Sequence, residues 1–194
     1  MKKNNLIYSY LSSLSKTIEN LDVSLVEEFF SLVITTIRNN NVILLGNGGS
    51  WSNAVHGATD LNTAFEFINA RSYAVAMGED VANILRIAND KSFSRIFLDK
   101  IKLMLREGDL VVGLSTSGNS RNIINVFKFI KKNYPKINRI LITADSGGKC
   151  KKFATSVLSF KVNNVQIAED LQQIVFHIIY LLIMKKTYVP KNVK

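Results

Sequence analysis

The chain has 194 residues, 47% of them apolar, with a formal charge of +10, two prolines and one cysteine. That length suits one domain with a substantial core, the composition argues against disorder, and a lone Cys150 excludes an internal disulfide framework and fits a reducing compartment. The surplus lysines are scattered (Lys128, Lys131, Lys132 and Lys136; Lys149, Lys151 and Lys152; Lys185, Lys186, Lys191 and Lys194) with no aromatic-and-basic motif beside them, so a solvated basic surface is expected and no nucleic-acid partner.

Residues 6–37 read as helical. Ser24–Glu27 is a candidate capping box, and Leu25, Phe29, Leu32 and Thr36 follow helical spacing. Strands are expected at 42–45, 71–76, 109–114, 138–143 and 156–161. Helical patterns at 51–65, 80–88, 92–106, 120–133 and 169–186 separate or follow them. Alternation of this kind predicts parallel strands with helices on both faces, a three-layer α/β/α sandwich. One domain is expected: a helical segment at 1–37, an α/β core at 38–186 and a basic tail at 187–194. The longest apolar run, Ile174 to Met184, contains His177 and is too short to span a bilayer, so it reads as a core or interface helix. Neither a signal peptide nor a membrane partner is expected, and a cytoplasmic location is.

Two loops carry the chemistry. Gly46-Asn47-Gly48-Gly49-Ser50 follows the first strand, and Ser115-Thr116-Ser117-Gly118-Asn119-Ser120 follows the third. A strand feeding a glycine-rich turn and then a helix presents backbone N–H groups, hydroxyls and a favourable dipole to an anion. Two such loops on one small domain predict a phosphorylated ligand held from two sides. Neither loop is a Walker motif or a dinucleotide fingerprint. Gly147-Gly148-Lys149 reads as a turn.

The chain has two histidines. His56 stands four residues before Asp60 on the helix after the first loop, so the two side chains share a face. A surface imidazole–carboxylate pair and a functional pair both fit that spacing. His177 sits in an apolar helix, where a core histidine with satisfied ring nitrogens and a ligand or acid–base group are both open readings. Glu169 and Asp170 lie upstream, where carboxylates also complement a helix dipole.

With these residues in view, the chain resembles the sugar isomerase (SIS) family, and within it the phosphoheptose isomerases. The carriers are Gly46–Ser50, His56 with Asp60, Ala88-Asn89-Asp90, Arg106-Glu107-Gly108-Asp109, Ser115–Ser120, Asp145–Lys149, and Glu169-Asp170 with His177, in order over about residues 42–183. The resemblance implies a flavodoxin-like α/β/α sandwich on a five-stranded parallel sheet. It also implies a homotetramer with active sites at subunit interfaces, and zinc at a His/Glu/Gln/His site. The implied reaction converts sedoheptulose 7-phosphate to glycero-manno-heptose 7-phosphate, the first step of a bacterial heptose route to lipopolysaccharide or capsule.

Carried over by position, Ser50, Ser115, Thr116, Ser117 and Ser120 hold the phosphate, Asn47 and Gly48 shape the pocket, and Asp90 belongs to the sugar pocket. His56, Asp60, Glu169 and His177 are the implied metal ligands, with Asp60 and His177 as acid–base groups. Asp60 is a methylene shorter than the family glutamate, and Glu169 stands at the position of a neutral glutamine. Aligning Gln172 there instead would put Tyr180 in the histidine's place. Eight residues of straight helix rise about 12 Å, so Glu169 and His177 meet at one ion only if Glu169 precedes the helix, the helix bends, or one of them serves a neighbouring subunit. The alternatives to this reaction are a phosphosugar-binding or assembly protein without catalysis, and an isomerase of another sugar phosphate for a surface glycan, since segment 63–71 does not fix the sugar.

Overall fold

The computed structural model describes residues 3–185; the expected tail at 187–194 lies outside the described residues. Two helices open the chain within the stretch expected to be helical, α1 (Lys3–Glu19) and α2 (Val23–Thr36). Asp22 makes the break: it caps α2, its carboxylate accepting from the Ser24 backbone N–H at 3.1 Å and from the Ser24 hydroxyl at 2.6 Å. The helix therefore starts two residues earlier than a capping box at Ser24 requires, and that box does not form.

The α/β portion runs β1 (Val42–Leu45), α3 (Gly49–Phe67), β2 (Ala74–Ala76), α4 (Val81–Asp90), a 3-10 turn (Phe93–Arg95), α5 (Leu98–Met104), β3 (Leu110–Leu114), α6 (Arg121–Asn133), β4 (Asn138–Thr143), a 3-10 turn (Lys151–Phe153), β5 (Ser156–Ser159) and α7 (Val165–Lys185). The helix expected at 92–106 is thus a 3-10 turn and a short helix. β2 is shorter than its pattern: just before it the Tyr73 N–H donates to the Asn41 side-chain oxygen at 3.0 Å, while the Asn62 amide satisfies the outer edge of the strand, bonding the N–H and the C=O of Ala74 at 2.7 and 2.8 Å.

All five strands are parallel, in the order β2-β1-β3-β4-β5. Side chains alternate across the sheet. Val42 and Leu44, Leu110 and Val112, and Ile140 and Ile142 face α2, α3 and α7. Ile43 and Leu45, Val111 and Leu141 face α4, α5 and α6. Both faces are covered, so β1 and β3 read as unbroken apolar runs.

Candidate functional site

Strand order fixes where a ligand binds. β1 lies between β2 and β3, so the chain leaves β1 to one side and β3 to the other, and a crevice opens between their carboxyl ends. Both loops stand at that crevice. Asn47 of the first and Asn122 at the start of α6 exchange two hydrogen bonds, at 2.7 and 3.1 Å, and tie the loops together. Gly48 sits at φ +57°, in the left-handed region glycine favours, and turns the chain into α3.

The second loop is braced from behind. The N–H groups of Ser115 and Ala144 bond to the carbonyls of Ile142 and Thr116, both at 3.0 Å. Gly118, at φ +61°, lies against the Gly147 carbonyl so closely that a β-carbon would stand 2.0 Å from its oxygen. Gly147-Gly148-Lys149 is therefore a turn that supports the loop. The Ser115 and Ser120 hydroxyls lie 3.0 Å apart, and the Ser120 side chain makes no capping bond to α6, leaving hydroxyl and N–H groups to serve an anion. An open cavity of about 310 Å³ borders this loop, lined by Thr116, Ser117, Asn119, Asp145, Asn163 and Asn164. A second, apolar one of about 240 Å³ borders Gly46, Asn47 and Gly48, walled by Trp51, Val81 and Phe93.

From the first loop the chain enters α3, which packs side by side with α7 in a fixed register. The Ser50 hydroxyl donates to the Glu169 carboxylate at 3.2 Å, and the Asn53 amide donates to the Glu169 carbonyl at 2.8 Å and to Gln172 Oε1 at 3.1 Å. Two turns on, Gly57 meets the ring of Phe176. Beyond that contact three predicted residues come together. Asp60 Oδ1 is 3.6 Å from His56 Nε2, Asp60 Oδ2 is 3.7 Å from His177 Nε2, and the two imidazole rings meet edge to face at 5.3 Å. The imidazoles are half exposed and the carboxylate is mostly covered.

This trio suits a divalent cation. One ligand atom from each residue lies within 4.8 Å of the other two. Ligands about 2 Å from a tetrahedral ion stand about 3.3 Å apart, so small side-chain adjustments close the set. Asp60 Oδ2 is buried with no hydrogen-bond partner among the described residues. An orphaned buried acceptor costs about 1–3 kcal/mol, which a cation would relieve.

Glu169 and Asp90 are placed elsewhere. α7 is one helix from Val165, so Glu169 does not precede it, and its carboxylate lies over Gly49 at the start of α3. That end is about 12 Å of helix rise from His177. Asp90 closes α4 with an exposed carboxylate that accepts from Asn89 at 3.0 Å. Gln172 is fully buried against Asn53, and the neighbouring Gln173 instead carries its amide to within 2.9 Å of His177 Nε2. Gln173 escaped the sequence reading, although its position one turn before His177 was the available signal. Asn122 and Asn53 escaped it as well, because bonds between distant segments leave no spacing pattern.

A sheet that pairs two anion-ready loops at its switch point, with a histidine–carboxylate cluster on the helix leaving the first, is the architecture of a phosphosugar-handling domain. Residues 8–135 match the SIS domain profile. A probable phosphoheptose isomerase of Thermoplasma acidophilum is 30% identical over 178 residues, covering 91% of this chain and 97% of that protein. A phosphoheptose isomerase of Sulfurimonas denitrificans is 31% identical over 171 residues, covering 88% and 86%. The chain belongs to the SIS domain family, in its phosphoheptose isomerase branch. The solved phosphoheptose isomerase of Francisella tularensis shares the fold at a TM-score of 0.86 and 23% identity, over 95% of this chain and all of that one.

Proposed function

We propose that this isomerase interconverts sedoheptulose 7-phosphate and glycero-manno-heptose 7-phosphate through an enediol. The observation that carries the reading is the Asp60 carboxylate, held between two imidazoles on the helix that grows out of the first glycine loop. In this reading Ser115, Thr116, Ser117 and Ser120 grip the phosphate, with Ser50, Asn47 and Gly48 closing the pocket. Holding the far end of the sugar turns remote binding energy into orientation at C1 and C2.

Asp60 removes the proton from the carbon beside the carbonyl, and the electron pair left behind forms the carbon–carbon double bond of the enediol. His177 delivers a proton to the former carbonyl oxygen and takes one from the neighbouring hydroxyl. Asp60 then returns its proton to the other carbon, so atoms and charge balance over the cycle. His56, Asp60 and His177 would hold zinc, which when bound polarises the carbonyl oxygen. The assembly we propose is a homotetramer, measurable by light scattering on the eluting protein: Ile7, Tyr8 and Leu11 lie exposed along one side of α1, an apolar face suited to a second subunit. We assign the enzyme to heptose supply for a surface glycan.

The test of the reaction is NMR of sedoheptulose 7-phosphate with the purified protein and zinc in deuterated water. Deuterium at the exchanging carbon together with the aldose signals is the expected result. An unlabelled, unconverted sugar that nonetheless binds would overturn the reading.

A further inference from the structure

Past Leu45 and Gly113, the last paired residues of β1 and β3, the two strands part, and each loop is anchored away from the other. The second loop bonds through its backbone to the β4 side, Ser115 donating to Ile142 and Thr116 accepting from Ala144. The first turns back on its own helix, where the Trp51 N–H donates to the carbonyls of Asn47 and Gly48. Among the described residues no backbone hydrogen bond joins 46–50 to 115–120. The bonds that span the gap are those between the side-chain amides of Asn47 and Asn122, at 2.7 and 3.1 Å.

Asn122 is the fixed member of that pair. It is 1% exposed and stands in the first turn of α6. α6 lies so close on β3 that a β-carbon on Gly113 would stand 2.9 Å from the Ile123 side chain. Asn122 Oδ1 accepts from the Ile123 N–H at 3.0 Å as well as from Asn47. Turning the amide over would set its NH2 against that N–H, donor against donor, so Asn122 holds one orientation. An amide held in this way presents one donor and one acceptor to Asn47 and fixes the Asn47 amide in turn. Gly48, at φ +57°, and the free N–H groups that open α3 follow directly from Asn47.

We infer that Asn122 is a positioning residue for the phosphate group: through Asn47 it holds the two loops at one spacing, and the Asn47 side chain is a strut between them, not a contact to the ligand. This rests on the phosphosugar reading of the two loops. Donors on two separate segments grip one anion well only when their spacing is set beforehand, so losing the strut acts first on phosphate affinity and less on the chemical step.

The test is a double-mutant cycle on the full chain, with Asn47→Ala, Asn122→Ala and the two together. KM and kcat are measured for sedoheptulose 7-phosphate, and the dissociation constant of inorganic phosphate is measured by phosphorus NMR. Each single variant should weaken phosphate binding by about 5- to 20-fold and raise KM by a similar factor, with kcat falling less. The double variant should match the weaker-binding single within about twofold, because both substitutions remove the same strut. A general loss of stability would leave KM of the folded fraction unmoved. Single effects that multiply in the double variant overturn the proposal, since Asn47 then contacts the ligand independently of Asn122. Phosphate binding within about twofold of wild type in both folded single variants overturns it as well. Should Asn122→Ala fail to fold by circular dichroism, Asn122→Asp takes its place. It keeps the shape and the bond from Ile123, and its added charge acts in both backgrounds and cancels in the cycle, so multiplying effects again overturn the strut. If wild type binds phosphate and converts the sugar while the variants behave otherwise, only the strut falls. If wild type neither binds phosphate nor converts the sugar, the reading of the loops falls with it.

Discussion

Gly57 of α3 lies against the ring of Phe176 of α7, so close that a β-carbon on Gly57 would stand 2.7 Å from the ring. Phe176 is fully buried and has no room to withdraw. The next residue along α7 is His177, and Asp60 is one turn beyond Gly57, so this approach sets the separation of those two side chains. Alanine at 57 would cost about 1–3 kcal/mol in overpacking, of which its better helix propensity returns about 1. Valine gains little in propensity and adds two methyl groups. Gly57→Val should therefore lose about 2–3 kcal/mol in urea unfolding, with Gly57→Ala nearer 1, and both should lose more activity than stability because α7 is pushed away. Full activity in a folded Gly57→Val would show that the helix spacing is not what sets the site.

Asp60 tests the chemistry directly. Asn keeps the shape and removes the base, so Asp60→Asn should lower turnover by about 10²–10⁴-fold, the usual worth of a positioned acid or base. Phosphosugar binding by calorimetry should persist, because the phosphate loops are untouched. Turnover within tenfold of wild type would remove Asp60 from the proton-transfer role.

The fold was largely legible in the chain because each buried strand is a short apolar run ended by a turn signal, and each helix carries its own periodicity. Boundaries failed where a side chain replaced the backbone as a partner: Asp22 at the start of α2, and Asn41 just before β2. At the site, spacing alone put His56 and Asp60 on one face, while only the resemblance tied them to His177. What remained hidden was register between helices. The parallel pairing of Ser50 with Glu169 and of Asp60 with His177 follows from the close contact at Gly57, which looks in sequence like any helical glycine. That same register carries Glu169 away from the histidines and brings in Gln173.

Glu169 stands at a loop proposed to close the phosphate pocket. Its carboxylate occupies the start of α3 and takes the Ser50 hydroxyl, at the first anion-ready loop. A negative charge there favours the helix dipole by about 0.3–1 kcal/mol but opposes an incoming phosphate. Glu169→Gln should therefore lower KM for the phosphosugar several-fold, with kcat little changed and stability slightly reduced. Added salt should narrow the KM difference, since screening weakens the repulsion. A KM that rises in Glu169→Gln would mean that the carboxylate binds a sugar hydroxyl and contributes to affinity.

Alkaline stability is the last expectation. Cys150 is wholly buried in the core on the α6 side of the sheet, and burial pushes its thiol up to about 12. Tyr10 is also pushed up to about 12, chiefly because its hydroxyl donates to the Asp170 carboxylate at 2.5 Å, which joins α1 to α7. Both groups hold their protons more tightly folded than unfolded. Their contributions are fully present below the unfolded values of 9 and 10 and are lost as pH rises towards 12. Urea stability should fall above pH 9 by up to about 1.4 kcal/mol per pH unit for the Cys150 proton that the unfolded chain releases first, and by less for Tyr10, whose bond to Asp170 is screened by solvent. Cys150→Ala should lose about 1–2 kcal/mol at pH 7 through the cavity it leaves, yet decline less steeply between pH 9 and 10, where the thiol is the first of these two groups to titrate in the unfolded chain. Parallel pH profiles for variant and wild type across that interval would mean that the thiol ionises as readily folded as unfolded, and that its burial does not exclude the charge.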